Sequence, residues 1–371
     1  MTGAKLITSA AEIGAARWNA LANPEGLADP HPFTTYEFFA ALEQSGSASR
    51  QAGWQPAHLL LEDGLMPLYL KSHSYGEYVF DHAWAEALER TGGDYYPKLQ
   101  CAVPFTPVTG KRLLGNAQAL LKTAASATQQ LGASSLHITF LTHAEWQAAG
   151  EAGYLLRTGQ QFHWENPGYT SFDQFLSELS SAKRKNLRKE RAAVRDAGVS
   201  FDWLTGADIT EAHWDQFFDF YTDTGSRKWG TPYLTREFFS LLGQGLARQT
   251  LLVMAKRNGR YIAGALNLFG EGVLFGRNWG AADYVPFLHF ETCYYQAIDF
   301  AIARGLKRVE AGAQGEHKLL RGYLPVETYS AHLILHKGLA RAVDNFLGAE
   351  RAAVTEHIAE LAAHAPFKKN S

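Results

Sequence analysis

One feature narrows the fold more than any other: a succession of short strands and glycine turns that occurs twice. From His58 the chain reads HLLLEDGLMPLYLKSHSYGEYVFDHAW, and from Leu251 it reads LLVMAKRNGRYIAGALNLFGEGVLFGRNW. In both, a strand ends in a turn, Asp63-Gly64 or Asn258-Gly259, a second strand runs to another glycine turn, and a third places Phe and Trp four residues apart. Those pairs are Phe80 with Trp84 and Phe275 with Trp279. Each run predicts an antiparallel meander, and the shared order reads as an internal duplication. At 371 residues the chain also exceeds what one hydrophobic core usually organises. Two domains are expected, 1–165 and 166–371.

A crossover unit follows each meander. KLQCAVPFTPVTG (98–110) predicts a strand opening into a Pro/Gly loop. Apolar residues from Leu113 to Leu131 then recur at helical spacing, and SSLHITFL (134–141) supplies the next strand. In the second half, Phe290 to Arg304 has helical spacing, Gly305 stops it, and LKRVEAG gives the strand. Strand, helix and adjacent parallel strand form a βαβ unit in each half, so the expected class is α/β with mixed sheets. Between the halves, SSAKRKNLRKERAAVRDAGV predicts a helix capped by Ser180 or Ser181 and ended by Gly198. YSAHLILHK reads as a last strand and 339–364 as an Ala-rich amphipathic helix, both in the second domain.

The composition, 46% hydrophobic, 13% aromatic and 19% charged, is that of an ordinary globular protein. A formal net charge of −2 gives no global attraction to nucleic acid or anionic membrane, so a polyanion must be met by a local patch. Cys101 and Cys293 alone cannot build a disulfide framework and are not spaced as a metal knuckle. The N-terminus has Glu12 and Arg17 inside its apolar pattern, unlike a signal peptide. No segment has the roughly twenty apolar residues of a membrane span, so a cytoplasmic location is expected.

Three constellations could carry chemistry. VPFTPVTGKRLLG (103–115) places Thr109, Gly110, Lys111 and Arg112 between a strand and a helix N-terminus, where backbone N–H groups and basic side chains can hold a pyrophosphate. Its bland counterpart is an ordinary strand-to-helix turn. Between Lys183 and Arg195, seven basic residues occur in thirteen positions with Glu190 the single acid. Arg184, Arg188, Arg191 and Arg195 share one helical stripe, which with Lys183 suits phosphates, although most charge runs are solvated helix faces. FLHFETCYYQ (287–296) and EAGAQGEHKLLRGYLP (310–325) gather His289, Glu291, Glu316, His317, Lys318, Arg321 and Tyr323. Acyl transfer needs a base for the attacking ammonium, donors for the oxyanion and an acid or charge for the leaving group. His317 or Glu316 could be the base, Lys318 could stabilise negative charge, and Tyr323 could donate a proton. His289 and Glu291, on an extended segment, could orient one another, and Arg277 and Trp279 could floor the pocket. No HExxH helix or tight three-ligand spacing supports a metal site, and no GxSxG elbow supports a hydrolase.

The chain resembles a FemAB-like member of the GNAT superfamily, in the branch of predicted N-acyltransferases linked to peptidoglycan biosynthesis or recognition. The residues that carry the likeness are MPLYLKSHSYGEYVFDHAW (66–84), YYPKLQCAVPFTPVTGKRLL (95–114), QFHWEN (161–166), SSAKRKNLRKER (180–191) and 287–325. The resemblance implies tandem GNAT-like domains around a central cleft, with residues 314–323 bordering it. It implies no tightly bound cofactor. The co-substrate would be acyl-CoA, as in GNAT enzymes, or aminoacyl-tRNA, as in Fem transferases, and the acceptor a small-molecule or glycopeptide amine. A binding protein that has kept the scaffold without its chemistry is the alternative.

Overall fold

The computed structural model describes residues 3–228, 232–312 and 315–368, without the side chains of 226–228 and 316. The chain forms two compact units. One is Met1–Gln160 with Glu327–His357, the other Gln161–Val326 with Ile358–Ser371. The single cut expected after residue 165 is therefore replaced by changes of unit inside the strands Leu155–Glu165 and Leu324–Ile334 and inside the last helix, Lys337–Ala363. The physical reason for the return is apolar. Ile334, Leu339, Val343 and Leu347 form one buried cluster with Trp84, Ala85, Leu88 and Tyr95, so the last strand and most of the last helix belong to the first unit.

In the first unit Leu324–Ile334 pairs antiparallel with Ser135–Leu141, which lies parallel to Lys98–Cys101. Leu68–Lys71 and then Trp54–Pro56 continue antiparallel. The crossover helix is Ala117–Gln130, so the expected βαβ unit is present. It starts four residues later than the periodicity suggested, because Leu114–Gly115 is a strand paired with Gly64–Met66 and Asn116 caps the helix through the Ala119 N–H. One sheet face is apolar, with Leu68, Leu99, Cys101, Leu136, Ile138 and Ala331 packed on Leu120, Leu121 and Ala124. Strand alternation then puts Lys71, Lys98, Gln100, His137 and His332 on the opposite face, and none of them is more than 2% exposed.

The meander of the first half departs from expectation at Pro67, where its second strand divides between two sheets, Gly64–Met66 pairing with His58–Leu60 and Leu68–Lys71 with Lys98–Cys101, and again after Lys71. Residues 72–81 are irregular and His82–Glu89 is a helix, so Phe80 and Trp84 do not share a strand. The β-prone run EYVF gives way because Glu77 and Asp81 are drawn to the Lys98 ammonium, 2.7 and 2.5 Å away, and Trp84 is buried in the cluster with Ile334 and Leu339. The two halves thus share the βαβ unit and not the third strand.

The second unit keeps its meander. Val199–Thr205, Thr250–Arg257, Arg260–Gly270 and Val273–Ala281 run antiparallel in that order. Its two-residue turns, Asn258-Gly259 and Glu271-Gly272, have positive φ throughout, as tight hairpins require. Val273–Ala281 then lies parallel to Arg308–Glu310, which pairs antiparallel with the end of Leu155–Glu165. The crossover comprises Leu288–Phe290, a π-helical stretch Glu291–Tyr295 and Gln296–Ala303. His289 and Glu291 are therefore helical and not extended. Positions i and i+2 do not share a helix face, so they cannot orient one another as expected. No described helix is long and apolar enough to cross a membrane.

A Cβ on Gly280 would lie 2.1 Å from the Phe220 carbonyl oxygen, because helix Glu211–Lys228 rides directly on strand Val273–Ala281. Gly280→Ala must push backbone from backbone. A destabilisation of about 1–3 kcal/mol is expected, read as a lower urea midpoint with unchanged slope.

Candidate functional site

The site is assembled where two strands part. Pairing between Val273–Ala281 and Arg308–Glu310 ends at Phe275, while the first strand runs on to Ala281. The space opened beyond Gly276 is a cavity of about 90 Å³, lined by Asn267, Arg277, Trp279, His289, Cys293 and Tyr294 among others. Three expected residues, Arg277, Trp279 and His289, thus share one cavity wall. The His289 ring stands 5.2 Å from Trp279 and 5.4 Å from Tyr294.

His317 is brought beside that wall by the short helix Glu316–Arg321. Its ring is 6.3 Å from His289, and its Nε2 is 2.9 Å from the Tyr294 hydroxyl. Partial burial, with Arg321 and Lys318 nearby, holds its pKa below the usual histidine range, which favours the neutral imidazole a base requires. Tyr294 is pushed the other way by burial and keeps its proton. Lys318 is 1% exposed and its ammonium donates to the Gly312 carbonyl at 2.7 Å. Burial lowers its pKa to about 8. Tyr323 lies at 0% exposure with its hydroxyl 3.4 Å from the Tyr294 carbonyl, a packing position beneath the site rather than that of a proton donor. The Glu316 side chain lies outside the described residues.

Two arginines expected to bind substrate are occupied by acids of this chain, Glu291 buried and Asp299 and Glu190 half-buried. Arg191 donates to Glu291 at 2.9 Å and to Asp299 at 2.6 Å, with its guanidinium over the Phe172 ring. Burial raises the Glu291 pKa although Arg191 and Gln296 pull it down. Arg321 forms a forked pair with Glu190 at 2.8 and 3.0 Å and lies 3.5 Å over the Phe290 ring. These contacts tie the basic helix Ser181–Asp196 to the site's helix and to the turn bearing His317. Arg191, Glu291 and Arg321 thus position the centre, and nothing in the geometry points them at a ligand. Farther along the helix, Arg188 is exposed beside Asp173 at 3.0 Å, and Lys183 and Arg184 are half-buried without an ion-pair partner among the described residues.

The loop of the first unit is not built as a pyrophosphate cradle. Its backbone donors at Arg112 and Leu113 are both taken by Glu145 Oε1, at 2.8 and 2.7 Å, and the Gly110 N–H donates to the Phe140 carbonyl. Arg112 is 1% exposed and donates to the carbonyls of Val108, Gly110, Lys111 and Thr139. The Thr109 carbonyl is 3.1 Å from His31 Nε2, which leaves Lys111 as the exposed cation of the four.

Sequence reasoning missed Tyr294, Cys293, Asn267 and a second buried acid. Tyr294 sits in an aromatic helical run that reads as core, and Glu310 in a strand of three residues. The Glu310 carboxyl is 5% exposed, 3.7 Å from both His163 and Arg308, and burial raises its pKa to about 7. A folded-state pKa above the unfolded one means that folding binds a proton. The stabilisation is complete below about pH 4.5 and is lost as pH rises to about 7, a change of about 3 kcal/mol. Glu310→Gln should flatten the fall in unfolding free energy across that window, measured by urea titrations at successive pH values.

By fold, the chain is similar to two solved proteins. FemX superposes with a TM-score of 0.56 at 12% identity, covering 89% of this chain and 98% of FemX. L-PGS from Bacillus licheniformis gives 0.53 at 12%, covering 86% and 98%. At such identities what is shared is the fold. No curated protein matches the sequence. The family profile described as FemAB-like, peptidoglycan biosynthesis/recognition, matches residues 9–369, and the chain belongs to that family.

Proposed function

We propose that the chain is an N-acyltransferase that moves an acyl or aminoacyl group from a phosphate-bearing donor to an amine acceptor of peptidoglycan synthesis. The observation that carries this reading is the pairing of His289 and Tyr294 on the wall of a cavity opened by parting strands, with His317 hydrogen-bonded to the Tyr294 hydroxyl behind it. A neutral His317 takes the proton of the attacking ammonium, the amine nitrogen bonds to the acyl carbon, and the donor's ester or thioester bond breaks as the tetrahedral intermediate collapses. The Lys318 ammonium supplies positive charge near the oxyanion, and the leaving group is protonated from the hydrogen-bonded Tyr294–His317 pair. Lys183, Arg184 and Arg188, on the first turns of the basic helix, supply charge for the donor's phosphates. Acyl-CoA and aminoacyl-tRNA both fit that chemistry as co-substrates.

The test is a mass-resolved product screen, with acyl-CoA or charged tRNA as donor and an amine-bearing glycopeptide precursor as acceptor. An acyl-mass gain on the acceptor is expected, and the productive donor identifies the co-substrate. His317→Ala should cut turnover by about 10²–10⁴ with the fold retained, and wild-type rates in both His317→Ala and Lys318→Met would sink this centre. Joint replacement of Lys183, Arg184 and Arg188 by Ala should weaken donor binding, and should flatten its dependence on salt, measured by titration at two ionic strengths. The family's description includes recognition as well as biosynthesis, which favours a second reading as a glycopeptide-binding module. Saturable glycopeptide binding with no product from either donor would select it.

A further inference from the structure

The first unit contains a second chemical centre that the acyl-transfer reading does not use. Lys71 and Lys98 stand opposite one another on paired strands, both at 0% exposure. Two like charges in that register repel, and each costs free energy to bury. Among the described residues, every hydrogen-bond and ion-pair partner of both ammonium groups comes from one segment, Ser72–Asp81, which crosses over them. Lys98 donates to the Ser74 hydroxyl at 2.7 Å, Glu77 Oε2 at 2.7 Å and Asp81 Oδ2 at 2.5 Å. Lys71 donates to the Tyr75 carbonyl at 3.3 Å, lies 3.8 Å from Glu77 Oε1, and is seated 3.7 Å over the Trp54 ring.

Around this pair, polar atoms are buried without hydrogen-bond partners. They include Glu77 Oε1, Asp81 Oδ1, Gln100 Oε1 and His332 Nε2. A sheet face needed only for stability would be apolar, as the opposite face is. The covering segment also has a left-handed residue at Tyr78, φ 61°, beside Gly76 at φ 81°. It shows Tyr75 and Phe80 to solvent at 62% and 59% exposure. A conformation uncommon for a bulky residue, with two large rings left outside, marks a strap held by polar contacts rather than by an apolar core: besides the lysines, Tyr95 donates to Asp81, Trp54 to the Tyr75 carbonyl, Arg157 to the Phe80 carbonyl and the Phe105 N–H to the Gly76 carbonyl.

We propose that Lys71 and Lys98 form a binding site for a compact dianionic group, and that Glu77 and Asp81 of the strap occupy it in place of the ligand. The ligand's phosphate or dicarboxylate takes the two ammonium groups, the strap's carboxylates are displaced, and residues 72–81 lift from the sheet. Gln100 and His332 then face the bound molecule. The site is self-inhibited, because the carboxylates compete from within the same chain.

Titration calorimetry on the full chain at constant ionic strength, with inorganic phosphate and with malonate as separate probes, tests this. One-to-one binding is expected, and the anion should quicken chymotryptic cleavage after Tyr75 or Phe80. Phosphate alone, malonate alone or both would assign the ligand to phosphates, dicarboxylates or compact dianions in general. Glu77→Gln should bind about fivefold or more tightly, because one internal competitor is gone. Lys98→Met and Lys71→Met should each abolish binding. Failure of wild type and Glu77→Gln to bind either anion would overturn the proposal, as would binding retained in a folded Lys98→Met. Should those variants not fold, the wild-type digestion decides, and a cleavage rate independent of both anions refutes the strap.

Discussion

A charge withdrawn from water must meet its opposite, and each unit is organised around such meetings, partly buried in the second unit and fully buried in the first. In the second unit the basic helix is drawn in by two of its own members, Arg191 to Glu291 and Asp299, and Glu190 to Arg321. Breaking a fully buried pair typically costs about 3–5 kcal/mol and an exposed one contributes little, and these partly buried pairs lie between the two. These contacts therefore set the helix's rotation and decide which of its cations remain for a ligand. In the first unit the Lys98 ammonium plays the same part for residues 74–81, collecting three acceptors that sequence alone would scatter along a strand.

This explains what the sequence disclosed and what it withheld. Periodicities that depend on apolar burial were legible: both βαβ units, the second meander with its Asn258-Gly259 turn, and the basic helix ending before Gly198. Features set by polar contacts over long separations were not. The run EYVF has strand propensity, but Glu77 answers to a lysine 21 positions away. Thr109 to Arg112 resemble an anion loop, but Glu145 has taken its N–H groups from 32 and 33 positions downstream. A stripe of arginines looks uniform in sequence, and only coordinates separate Arg191, which holds the structure together, from Lys183 and Arg184, which can meet a ligand.

The candidate centre shows the same division. Placing His289, His317, Lys318, Arg277 and Trp279 within one region of the second unit followed from spacing and from the family likeness. Their surroundings did not: Tyr294 as the partner of His317, and a π-helical stretch that begins at Glu291 just after His289, depend on helix geometry. The chain belongs to the FemAB-like family and shares its fold with FemX.

The exchange of chain between the units inside continuous strands has one more consequence. Because Leu155–Glu165 and Leu324–Ile334 each begin in one unit and finish in the other, neither unit corresponds to an uninterrupted stretch of gene. Shortening the protein after residue 326 would strip the first unit of the strand bearing His332, and a fragment starting at 166 would carry that strand with nothing to pair it. A truncation or exchange meant to spare either unit must therefore keep both of these strands and the last helix whole.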